Sequence, residues 1–80
     1  MATIKIRAKP PEEIPIVSEY ITLAAFLKLA NAVESGGAAK TVIQAGEVFV
    51  NAELCLLRGK KLRPGDVVRF QGKRYRVING

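Results

Sequence analysis

Three basic groups in this sequence have side chains that could do chemistry: Lys28; the run Ser35-Gly36-Gly37-Ala38-Ala39-Lys40-Thr41; and Arg58-Gly59-Lys60-Lys61, with Arg63 close behind. All of them offer donors and positive charge: ammonium, guanidinium, hydroxyl and backbone N–H. None offers a base beside a nucleophile. The chemistry open to such a set is anion binding. Lysine and arginine neutralise phosphates, and the unpaired N–H groups at a helix start point at an anion while carrying the positive end of the macrodipole.

Other chemistries find no residues to run them. There is no histidine, and the single cysteine, Cys55, lies between Leu54 and Leu56, where a small buried hydrophobe is the simpler reading than a nucleophile. Zinc and the usual transition-metal sites need more of these ligands than the chain has, so no metal or other cofactor is expected. Glu12 and Glu13 are adjacent and point in different directions in any regular structure, which makes them a poor acid/base pair. Neither a GxSxG elbow nor phosphate-loop spacing occurs, so an enzyme is not expected.

The elements that must position the basic groups are legible from periodicity. Leu23, Phe26, Leu27, Ala30 and Val33 recur on one face of a period of about 3.6 residues. Thr22 is a suitable N-cap, with Ile21 and Phe26 as a hydrophobic staple. The expected first helix spans 22–34 and ends because Gly36-Gly37 supply left-handed conformations for a corner. The expected second helix spans 37–45, with Ala39, Val42 and Ile43 inward, Lys40, Thr41 and Gln44 on the wet side, and Gly46 as the stop. Lys40 in its first turn is open to two readings. One is a phosphate cradle made with the amides around Gly36-Gly37, and the other is a lysine tolerated against the macrodipole at a cost of a few tenths of a kcal/mol.

Strands are expected on both sides of the helix pair. Ile16 to Ile21 reads as a strand whose start Pro15 confines to an edge. Further strands fall near 47–50, 66–70 and 74–78. Turns are expected at Asn51-Ala52, at Pro64-Gly65 as type II, and at Gln71-Gly72. A two-residue loop at Gln71-Gly72 sets Phe70 against Lys73, Arg69 against Arg74 and Val68 against Tyr75. Val68, Phe70, Tyr75 and Val77 then share a core face, and Arg69, Arg74 and Arg76 share the opposite one. Like charges directly opposite are destabilising, so that face either meets an anion or protects a sheet edge from aggregation. Edge protection is preferred, on the expectation that this face is far from the helix corner.

Eighty residues, 49% of them hydrophobic, make one small packed domain rather than a disordered chain. Thr3 to Lys9 reads as a short strand or a flexible basic arm, cut off by Pro10-Pro11. The expected organisation is therefore an arm or linker with the start of the first strand over 1–18 and the domain over 19–80. No apolar run is long enough to span a membrane and no signal-peptide core is visible, so a cytoplasmic protein with no membrane partner is expected. The net charge of +6 is uneven. Residues 58–80 carry eight basic side chains against Asp66 alone, whereas residues 1–57 balance to −1. Charge gathered in this way suggests a polyanionic partner. Phe26, Phe49, Phe70 and Tyr75 are explained as core and Tyr20 is left open. With few exposed aromatics, recognition by shape of folded or duplex RNA fits better than a stacking platform for single strands.

At this point the residues resemble a family. The run ITLAAFLKLANAVESGGAAKTVIQAGEVFVN, then RGKKL and PGDVV, is similar to the alpha-L RNA-binding motif, the domain named after small-subunit ribosomal protein four. The likeness covers Glu19 to Val77 and is greatest to the short stand-alone bacterial members of the YaaA type. It rests on L-x-x-F-L-K at Leu23 to Lys28, S-G-G-x-A-K at Ser35 to Lys40, and G-x-V-x-V-N at Gly46 to Asn51, in this order and at these separations. The resemblance implies an α+β fold: two N-terminal helices packed on a small, bent, mainly antiparallel sheet. It also implies RNA gripped by the helix pair and the adjoining loop. Carried over residue by residue, Lys28 and Lys40 match basic positions on the helices, Ser35 the serine opening the second helix, and Arg58, Lys60 and Lys61 the basic loop. Many members have an arginine directly after the serine. Here that position is Gly36, which leaves the contact to backbone amides or throws more of it onto Lys60 and Lys61.

The expected function is an RNA-binding module for structured RNA, ribosomal or transfer RNA, recognised through phosphates and shape. It would act as a monomer in ribosome assembly or quality control, with a ribosomal subunit as a candidate larger partner. The expected site is Lys28, Ser35, Gly36, Gly37, Lys40, Thr41, Arg58, Lys60, Lys61 and Arg63. Lys40, Arg58, Lys60 and Lys61 are expected to converge beside the glycine corner, with Lys28 at the margin. The loop at 58–61 is read as having no constraint of its own and closing over that corner. The alternative is a basic protein-interaction module docking an acidic partner. Duplex phosphates look alike to lysine, so DNA also stays open as a target.

Overall fold

Ile14 and Ile16 alternate with exposed neighbours, and that period of two makes the first element a strand, β1 (Glu12–Ile16). The computed structural model describes residues 10–80, so the strand or arm read over Thr3 to Lys9 lies outside the described residues. After β1 come β2 (Ile21–Thr22), α1 (Leu23–Leu29), α2 (Gly36–Gln44), β3 (Val48–Val50), β4 (Glu53–Leu54), β5 (Lys61–Leu62), β6 (Val67–Phe70) and β7 (Lys73–Asn79). One mixed sheet has the order β1-β7-β6-β3-β4, and a two-stranded sheet pairs β2 with β5. The fold is α+β, but the helices are not N-terminal: two strands precede them. The first of these, β1, pairs in parallel with β7, Ile14 level with Val77. Pro15, which has no N–H, sits on this outer strand, where a missing ladder bond is tolerated.

The single strand expected over Ile16 to Ile21 is split. β1 ends at Ile16 and the chain bends through 17–20, leaving Val17 99% exposed. Ser18 Oγ donates to the Tyr20 carbonyl at 2.8 Å, a local bond that competes with a ladder. The short β2 then leads straight into α1.

The first helix is also shorter than expected. Asn31 adopts φ 59°, the left-handed conformation that asparagine tolerates after a helix. The Asn31 amide donates to the Lys28 carbonyl and the Ala32 amide to the Leu27 carbonyl, which together close a Schellman motif. Gly36-Gly37 are therefore not the corner. They are the first two residues of α2, behind Ser35, whose hydroxyl accepts from the Ala38 amide at 3.1 Å. α2 ends in the same motif, with Gly46 at φ 78° and amide bonds from Gly46 to the Ile43 carbonyl and from Glu47 to the Val42 carbonyl.

The β6–β7 hairpin has the expected register, with Val68 level with Tyr75, Arg69 with Arg74 and Phe70 with Lys73. Positive φ at Gln71 and Gly72, and at Asn51 and Ala52, fits the twist that two-residue hairpin loops require. At Pro64-Gly65 the Asp66 amide donates to the Arg63 carbonyl at 3.0 Å and Gly65 has φ 101°, as a type II turn demands. A single core joins the helices to one face of the large sheet. It includes Leu23, Phe26, Leu27 and Ile43 from the helices and Val48, Val68, Tyr75 and Val77 from the strands, together with Ile14 and Ile16 of β1. Truncating the fully buried Phe26 to alanine would cost roughly 3–5 kcal/mol.

Candidate nucleic-acid interface

The two helices start differently, and that difference defines the site. The first amides of any α-helix have no partner inside it. In α1 they are taken: Leu23 N donates to the Lys60 carbonyl at 2.8 Å, Ala24 N to the Arg58 carbonyl at 3.1 Å, and Ala25 N to Thr22 Oγ1 at 3.4 Å. In α2 only the third is taken, by Ser35 Oγ. The amides of Gly36 and Gly37 find no acceptor among the described residues. Both glycines are exposed. A Cβ on Gly36 would meet nothing within 4 Å, and one on Gly37 only Ser35 Oγ at 3.8 Å. No packing demand makes these positions glycine, while a bare backbone lets an anion approach the amides closely.

Lys40 and Thr41 are exposed on α2. With the helix opening at Gly36, Lys40 falls just past the first turn, where the unfavourable macrodipole is already weaker. Thr41 spends its hydroxyl hydrogen on the Gly37 carbonyl at 3.0 Å. Lys28 is exposed in the last turn of α1, where a cation complements the helix C-terminus and so has a structural use as well.

The basic loop is constrained, contrary to the sequence expectation. The carbonyls of Arg58 and Lys60 are fastened to the start of α1. The following residues pair Thr22 with Lys61 and Ile21 with Leu62. Arg58, Lys60, Lys61 and Arg63 all remain exposed. Lys61 Nζ lies 4.9 Å from the centre of the Tyr20 ring, a cation–π distance. The structure thus gathers Arg58, Lys60 and Lys61 at the start of α1, gathers Ser35, Gly36, Gly37, Lys40 and Thr41 at the start of α2, and sets Lys28 at the far end of α1.

Two aromatic contacts were not legible as such. Tyr20 becomes the ring under Lys61 because β2 and β5 pair, a long-range event. Phe49, expected in the core, is half-buried and faces away from it between the buried Val48 and Val50. Its ring lies 4.7 Å below the Arg69 guanidinium carbon. The alternation Val-Phe-Val on a strand carries that signal.

These two helices, a mixed sheet and a basic loop folded over the first helix start describe one class of domain. A family model for the S4 domain matches residues 14–78, and the chain belongs to that family. One relative is a probable ribosome maturation protein, RlbA, of Bacillus subtilis (strain 168), 48% identical over 67 residues, which take in 82% of this chain and 94% of that protein.

Proposed function

We propose that this chain binds structured RNA, ribosomal or transfer RNA, by its phosphates and shape, and acts in ribosome maturation or quality control. One observation carries the reading: the amides of the exposed Gly36 and Gly37, without partners among the described residues, open α2 with Lys40 one turn on, while the equivalent amides of α1 are filled. An anion is what completes such a helix start. Arg58, Lys60, Lys61 and Arg63 supply further charge, and the relative's description as a ribosome maturation protein supports the setting. In this reading the protein is a cytoplasmic monomer that holds RNA and catalyses nothing.

The test is an RNA titration at several salt concentrations. With about four to six phosphates neutralised, log K falls against log salt with a slope of roughly −3 to −5. A flat response would sink the reading, and competition with duplex DNA decides which nucleic acid is preferred. A protein-interaction module is the second reading, favoured by Leu54, Leu56 and Leu57, which are 53%, 53% and 70% exposed. Release from large complexes by nuclease supports RNA; retention after nuclease supports a protein partner.

A further inference from the structure

The face of the β6–β7 hairpin turned away from the helices carries Arg69, Arg74 and Arg76, alternating with the core residues Val68, Tyr75 and Val77. The register sets Arg69 directly across from Arg74, an arrangement that weakens a strand pair on its own. Such a face has two physical uses, which are to repel a stray strand edge or to meet an anion. The topology removes the first. β7 is covered by β1 and β6 by β3, so neither strand has an open edge to guard.

Two carboxylates face these arginines. Glu13 is level with Arg76 on β1, and Glu47 lines the shallow cleft that holds Phe49, Arg69 and Arg74. Three cations, Arg69, Arg74 and Arg76, thus stand against those two carboxylates on this face. The guanidinium of Arg69 lies over the Phe49 ring, which holds its plane in place and keeps its N–H edge for a ligand. A pre-set guanidinium edge among further cations is complementary to phosphate oxygens.

We propose that this outward hairpin face is a second contact for RNA phosphates, on the opposite side of the domain from the start of α2. The inference rests on the RNA reading given above and adds a second surface to it.

The experiment uses the full chain and refolded large ribosomal RNAs as the probe, titrated over a range of salt. Arg69→Gln with Arg76→Gln is expected to lower affinity about tenfold and to flatten the salt slope by about 2. Arg69→Lys with Arg76→Lys keeps both charges but not the stacked guanidinium edge, so it is expected to hold the wild-type salt slope while losing part of the affinity. Melting temperatures near wild type for both variants separate a lost contact from a folding effect. Lys40→Gln with Lys60→Gln serves as the reference for the helix side. If the arginine-to-glutamine pair binds like wild type while the lysine pair does not, this inference falls and the RNA reading stands. If the unaltered protein binds no RNA, both fall. Unchanged RNA affinity with loss of a nuclease-resistant protein partner overturns the proposal in favour of a protein surface.

Discussion

Asn51 Nδ2 donates to Asp66 Oδ1 at 3.1 Å, which ties the turn after β3 to the turn before β6 across 15 residues of sequence. Asn51 Oδ1 also accepts from Val67 N at 3.0 Å, and Asn51 N donates to the Val67 carbonyl at 2.7 Å. Asp66 in turn takes the Arg63 amide through Oδ2 at 2.8 Å. The last residue of the G-x-V-x-V-N signature is therefore a structural fastener. It holds Arg63 and the Pro64-Gly65 turn against the sheet, directly after the basic loop.

Replacing Asn51 by alanine removes both side-chain bonds and forces a Cβ-bearing residue with no local hydrogen bond to hold φ 51°. The expected loss is about 2 kcal/mol, seen as a fall in melting temperature of roughly 8–16 °C. Asn51→Gly keeps the φ and loses only the bonds, so it should fall between the two. Equal melting temperatures for Asn51→Ala and Asn51→Gly would mean that backbone conformation contributes nothing here.

Gly36→Ala with Gly37→Ala separates the two readings of the helix start. Both positions are helical and have room for a Cβ, so stability should rise by roughly 0.5–1 kcal/mol per site. RNA affinity should fall, because the new methyl groups crowd the open amides. Opposite signs for the two measurements identify the glycines as kept for an anion. A stabilised protein with unchanged affinity would leave Lys40 as a tolerated lysine.

Tyr75 provides a pH test of the core. Burial of its ring, and then the charge of Glu12, raise its pKa above the ordinary 10.0. The folded state thus keeps this proton after the unfolded chain has lost it. The stabilisation is fully present below pH 10.0 and is lost as pH rises through the folded value. Tyr75→Phe should flatten the alkaline limb of unfolding free energy against pH. If that variant and the wild type lose stability in parallel, Tyr75 does not set the limb.

Much of the fold was legible because its signals are local. The cap at Thr22 and the Gln71-Gly72 register depend on residues a few positions apart, whereas Ser35 at the opening of the second helix was legible only through the family resemblance. The misses arise where distant segments meet or one residue overrides a pattern. Asn31 stopped α1 well before the glycines, because a left-handed asparagine ends a helix as well as glycine does. β1 earned its place by pairing with β7, some sixty residues on in the chain, which no local pattern discloses. The edge-protection reading of the arginine face failed for the same reason: whether a strand has a free edge is a property of topology. At the site, residue types were readable from spacing. The contrast between a filled and an open helix start depended on where the Arg58 and Lys60 carbonyls go.

Charge reversal at Lys40 and Lys60 tests where the main RNA contact lies. Lys40 is exposed on α2, and Lys60 contributes to the fold through its backbone carbonyl, which a side-chain change leaves in place. Lys40→Glu with Lys60→Glu should therefore fold with a melting temperature close to wild type. On the proposed reading it removes two phosphate contacts and adds two repulsions, one at the start of α2 and one at the start of α1. RNA affinity should drop by roughly 2–4 kcal/mol, about 30- to 1000-fold, with a shallower salt slope. The matched control is Arg74→Glu with Arg76→Glu on the hairpin, expected to do less, because that face lies across the sheet from the helix starts. Should the hairpin pair prove the more damaging, with both variants folded, the principal RNA contact is on the sheet face and the helix starts are secondary.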